Sequence, residues 1–153
     1  MFVVLTRLRS LFGFPAREKW FALRALGTLA GVRLALRLLP FGRVRALVDR
    51  HATAPLAASD PAVARAVRRA VDRAARTIPG SACLARALTA ELLLRRSGQS
   101  VRVTIGVAPD GTPLDAHAWV ESAGILVTGD REDLGSYRTL AVFGTDSRLG
   151  GVP

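Results

Sequence analysis

The chain has 153 residues, half of them apolar, 22% charged and one a cysteine. That is enough for one compact domain with a real core, too little for a full barrel enzyme, and incompatible with a disulfide scaffold. Lys+Arg 22 against Asp+Glu 12 gives +10, and residues 1–80 carry 15 basic and 4 acidic groups whereas residues 81–153 carry 7 and 8. A basic front half suits an acidic partner, a membrane surface or nucleic acid.

In chain order, the pattern from Pro15 to His51 is helical, with Glu18 in the first turn and Leu23, Leu26, Leu29 and Ala30 at helical spacing. Arg24 and Arg33 lie about 180° apart at 100° per residue, so one clean apolar stripe is absent. Either the helix breaks near Gly31 or it is buried on more than one side. Pro40 and Gly42 stop this run, and Val44, Leu47 and Val48 predict a short second helix. His51 to Ser59 reads as a linker, and His51 as exposed. Asp60-Pro61 opens a third helix, because the carboxylate accepts free N–H groups and proline at the first position loses no bond. Val63, Val67 and Val71 mark its buried face. Arg65, Arg68, Arg69, Arg73 and Arg76 read mainly as a solvated face.

Pro79-Gly80 ends that helix and another begins at Ser81, with Leu84, Leu88 and Leu92 four apart and Ser97-Gly98 as the stop. Alternation at Val101, Val103, Ile105 and Val107 predicts a strand. A turn over 109–113 follows, then strands over His117–Ser122 and Ile125–Asp130 joined by Ala123-Gly124. Tyr137 to Phe143 reads as a final strand or half-turn. The expected architecture is α+β: a basic N-terminal helical module over 1–55, then a helix-plus-antiparallel-sheet core over 56–153.

No membrane span is expected. The apolar run from Met1 to Pro15 is interrupted by Arg7 and Arg9. The stretch from Trp20 to Pro40 carries Arg24, Arg33 and Arg37, and central arginines each cost about 2.5–3.5 kcal/mol on insertion scales. A cytoplasmic setting follows, and the lone thiol agrees with it.

Cys83 falls in the first turn of its helix, with Ser81 as the expected N-cap. Unpaired N–H groups and the positive dipole end there stabilise a thiolate and can hold an oxyanion. Taken alone, one cysteine on an Ala/Leu helix reads first as a small core residue. His117 adds a base on a strand. With an even hairpin at Ala123-Gly124, it faces Asp130 across the sheet, where Cβ atoms stand roughly 4.5–5.5 Å apart. A bulge would shift that register and spoil the pairing. A strand histidine bonded to a carboxylate for stability alone is the other reading. Asp115 and Glu121 are rival acids on the same strand, and Asp130 is preferred because it lies cross-strand. Trp119 covers the His117 face, first of all as packing. No metal site is expected from one cysteine and two distant histidines, and no glycine-rich phosphate loop or nucleic-acid motif is present.

The strings Cys83-Leu84-Ala85-Arg86-Ala87-Leu88, Arg96-Ser97-Gly98-Gln99 before Val103-Thr104-Ile105-Gly106-Val107, and Ala116-His117-Ala118-Trp119-Val120-Glu121 resemble the lasso-peptide leader peptidases. These are the peptidase part of the lasso biosynthetic B protein, on a transglutaminase-like cysteine-enzyme fold. The leucine-rich basic front with Leu38-Leu39-Pro40-Phe41 is similar too. The resemblance implies a Cys83–His117–Asp130 triad, no cofactor, and cleavage of a leader from a ribosomally made precursor peptide. The freed core amine would pass to a separate ATP-dependent lasso cyclase. Fused relatives contain a winged-helix recognition domain. The first 55 residues show no three-stranded pattern, so the resemblance implies a split form with a separate leader-recognition protein. The basic front half is then expected to dock the leader or that protein in a salt-sensitive way. Other acyl-transfer chemistry on the same fold and a non-enzymatic basic binding module are the alternatives.

Overall fold

The computed structural model describes residues 16–51, 59–80, 82–109 and 116–145. Four helices, α1 (Ala16–Leu38), α2 (Phe41–Arg50), α3 (Pro61–Thr77) and α4 (Cys83–Arg96), precede and support an antiparallel sheet. Its strands are β1 (Arg102–Val107), β2 (Ala116–Ser122), β3 (Ile125–Thr128) and, after a short 3-10 turn, β4 (Arg138–Gly144), in the order β3-β2-β1-β4. The α+β expectation holds. The expected boundary at 55–56 lies outside the described residues, as do Ser81, Asp115 and most of the 109–113 turn.

α3 begins as its sequence dictates: the Asp60 carboxylate accepts the Ala62 N–H at 2.7 Å, and Pro61 takes the first helical position. Val67 and Val71 are buried as expected, but Ala64, Ala70 and Ala74 share the burial. These small residues let helices approach closely. α3 and α4 lie against the sheet, and α1 packs across both.

α1 differs from expectation. It runs unbroken through Gly31, and its buried stripe is Ala22, Ala25, Leu29 and Val32. Of the leucines at helical spacing, Leu29 is buried, Leu26 is half-buried and Leu23 is 54% exposed. The inner face is built from smaller side chains because it must fit against the alanine-rich face of α3. One continuous buried cluster joins Ala25, Leu29, Val44 and Val48 of the first two helices to Val67, Leu88, Val103 and Val120.

α4 is buried almost all round, from Ala87 through Leu94. Gly98, in the left-handed region at φ 72°, closes it. At the sheet, Ala123 (φ 51°) and Gly124 (φ 72°) make the tight hairpin turn that two positive φ values require. Ser122 faces Ile125 and Glu121 faces Leu126, as an even hairpin demands. The register then shifts between Val120 and Glu121, so that Val120 faces Thr128. β3 ends there, two residues short of expectation. The shift and the early end move Asp130 out of the position directly across from His117.

Candidate active site

Cys83 is the first residue of α4, half-buried and unpaired with any other cysteine. Ala82 occupies the N-cap position, where Ser81 was expected, and offers no side chain to the first turn. The first intrahelical bond among these residues is Arg86 N–H to the Ala82 carbonyl at 3.2 Å. By helix geometry the N–H groups before it have no acceptor within the helix, and they lie at the thiol end.

A cleft of about 310 Å³ opens where α3 and α4 meet β2 and the edge strand β3. Cys83, His117 and Asp130 all line it, with Arg68, Asp72 and Arg86. Arg86, left open by its sequence position, thus faces the cleft. Glu121, the rival acid, is exposed and lines a separate depression with Arg102.

The imidazole of His117 is tied down by backbone. Nε2 lies 3.0 Å from the Gly129 carbonyl oxygen. A carbonyl only accepts, so Nε2 carries the proton and Nδ1 of the neutral ring is the basic nitrogen. Gly129 sits at φ 87°, and a Cβ on it would come within 2.5 Å of Trp119 Cβ and 2.6 Å of the Ala118 carbonyl oxygen. Only glycine brings this carbonyl so close to β2. The Trp119 ring stacks beside His117 with centroids 6.4 Å apart, and buried Tyr137 tilts against it at 6.0 Å.

Asp130 follows Gly129, but its carboxylate turns to Arg68 at 3.3 Å and is 70% exposed. Arg68 also donates to the Leu126 carbonyl at 2.9 Å, so it clamps β3 and Asp130 to α3. Among the described residues, no hydrogen bond joins Cys83 to His117 or His117 to the Asp130 side chain. His51 is exposed and far from this chemistry, its Nδ1 bonded to the Leu47 carbonyl at 2.8 Å.

The sequence reading missed Arg68, Gly129 and Tyr137. Arg68 was hidden in an arginine run that is otherwise mostly exposed. Gly129-Asp130 carried a usable signal, since a glycine before an acid at a strand end marks a turn.

A family model of the transglutaminase-like superfamily matches residues 28–142. The chain belongs to the transglutaminase-like superfamily. That superfamily includes cysteine-based acyl-transfer and peptidase enzymes, and the matched span takes in the C-terminal part of α1, all of α2, α3 and the thiol helix, and nearly the whole sheet. No curated protein and no solved structure gives a match to the chain. Among the described residues, no helix of this superfamily member is long and apolar enough to cross a membrane.

Proposed function

We propose that the chain is a cytoplasmic cysteine peptidase that removes the leader from a ribosomally made lasso-peptide precursor, acting with a separate winged-helix recognition protein. The observation that carries the catalytic part is the cleft shared by Cys83, at a helix start, and His117, with its tautomer set by Gly129. The leader-peptidase part rests on the resemblance of the Cys83, Arg96–Val107 and Ala116–Glu121 strings.

Cys83 gives its proton to His117 Nδ1 and attacks the scissile carbonyl carbon. The first-turn N–H groups of α4 receive the developing oxyanion. The C–N bond breaks as His117 returns the proton to the leaving amine, which leaves an acyl thioester on Cys83. A water that gives its proton to His117 then attacks the acyl carbon, and the thiol is released. Asp130 supports the imidazolium by its charge across the cleft, while the Gly129 carbonyl holds Nε2. Catalytic hydrogen bonds commonly tighten only with substrate in place, which fits a site completed by precursor and partner. No cofactor enters any step.

The test is incubation of the chain with a candidate precursor and its recognition protein, read by mass. Two fragments, lost in Cys83→Ala and in His117→Ala, support the reading. An intact or crosslinked peptide points to other acyl-transfer chemistry. Cleavage that survives Cys83→Ala overturns it.

A further inference from the structure

α1 has two apolar faces. Half a helical turn from its buried stripe, Trp20, Leu23, Gly27, Gly31, Leu34 and Leu38 recur three or four residues apart. The large members of this row are 62%, 54%, 57% and 72% exposed for Trp20, Leu23, Leu34 and Leu38. Opposed apolar faces cancel as vectors, which is why α1 has almost no amphipathic direction. The outer row runs about 27 Å at 1.5 Å per residue. It is saddle-shaped: large residues at both ends, and in the middle two glycines whose missing Cβ would meet nothing within 4 Å.

At Gly31 the saddle opens into a groove of about 240 Å³ between α1 and α2, with apolar walls from Val32, Ala35, Val44 and Leu47. Among the described residues, none of those lining it is acidic. Arg96 lines the groove, and Arg24 and Arg37 are exposed beside the outer row. The acids of these two helices are engaged with other residues: Glu18 faces Arg73 of α3 at 3.7 Å, and Asp49 is bonded to Arg45 and Arg95.

We infer that this saddle and groove form a docking site for an acidic amphipathic helix of a partner protein. An apolar ridge fills the groove at Gly31, and flanking carboxylates meet Arg24, Arg37 and Arg96. Charge argues against a second copy of the chain, whose own arginines would oppose these. Shape argues against a bilayer, because a flat surface leaves the groove unfilled. The site lies on the α1–α2 surface and makes no use of Cys83, so it stands apart from the proposed chemistry.

The experiment uses the full chain and a labelled helical peptide of about 18 residues, matched to the row at 1.5 Å per residue, with a leucine face flanked by glutamates. The control has lysine in place of every glutamate. Anisotropy is expected to show saturable binding of the acidic peptide, weakened by salt and at least about tenfold tighter than the control. Gly31→Leu, which fills open space, and Leu34→Asp, at an exposed site, are each expected to abolish it with unchanged circular dichroism. Cys83→Ala is expected to bind normally, which separates this result from the catalytic one. The inference is overturned by no saturable binding, by equal binding of both peptides, or by a neutral Gly31→Leu. It is equally overturned if phosphatidylglycerol vesicles bind and the peptide does not, or if the chain forms a dimer that Leu34→Asp dissolves.

Discussion

Arg45, on α2, grips the carboxylate of Glu91, in the middle of the helix that Cys83 begins, through two hydrogen bonds of 2.6 Å each. Glu91 is fully buried and Arg45 nearly so. Arg95 adds a bond to Glu91 at 3.1 Å, and the Arg45 guanidinium lies over the Phe143 ring of β4 at 5.3 Å. The fork therefore ties three elements to one buried charge. Burial works against the Arg45 cation, but hydrogen bonds to Glu91 and Asp49 outweigh it and raise its pKa above the ordinary value.

Breaking this pair from one side is expected to be costly. Arg45→Met leaves Glu91 buried without its principal partner and should lower stability by about 3–5 kcal/mol, read from urea denaturation. The double variant Arg45→Met/Glu91→Leu should recover much of that loss, because both desolvated charges are gone.

Asp49 gives the same network a pH dependence. Its hydrogen bond to Arg45 comes first in holding the carboxyl below its ordinary 3.8; desolvation opposes this, and Arg95 adds to it. A depressed folded-state pKa contributes stability that is complete well above 3.8 and drains away as pH falls through the folded value. Urea midpoints measured from about pH 6 down to about pH 3 should therefore fall less in Asp49→Asn than in the wild type.

The residues that announced themselves in the sequence were those whose local chemistry decides their structure. Asp60-Pro61 starts a helix, Ala123-Gly124 turns a hairpin, Gly98 closes a helix, and Cys83 lies in the first turn of its helix. What stayed hidden depends on distant partners. Arg45 and Glu91 lie 46 residues apart, and no spacing rule links them. The inner face of α1 follows the small residues of α3, so leucine spacing does not mark it, and Leu23 is exposed. The irregularity at Val127 of β3, which the pairing skips between Leu126 and Thr128, has no glycine or proline at that position to mark it, and it removed the direct His117–Asp130 pairing.

Gly129 tests whether the backbone sets the His117 tautomer. Gly129→Ala must adopt a left-handed φ and push its Cβ into Trp119 and the Ala118 carbonyl, a cost of at least about 1–3 kcal/mol. The Nε2–H signature of His117 in nitrogen NMR should be lost or mixed in this variant at temperatures where the chain is still folded.

His117 and Asp130 should separate in magnitude. His117→Ala removes the base and should slow cleavage by about 10²–10⁴-fold. Asp130→Asn leaves the Gly129 carbonyl on Nε2 and should cost about tenfold, within the range for a single charge acting through another group. Equal losses in the two variants would show that the carboxylate, and not the carbonyl, positions the ring.

The most direct measurement is the alkylation rate of Cys83 against pH, in the wild type and in His117→Ala, alone and with precursor and recognition protein present. Alkylation of the wild type at neutral pH should be fast, well above that of a free cysteine. His117→Ala should remove the advantage. Identical profiles for the two proteins under both conditions would show that His117 does not activate the thiol and would leave Cys83 as a packing residue.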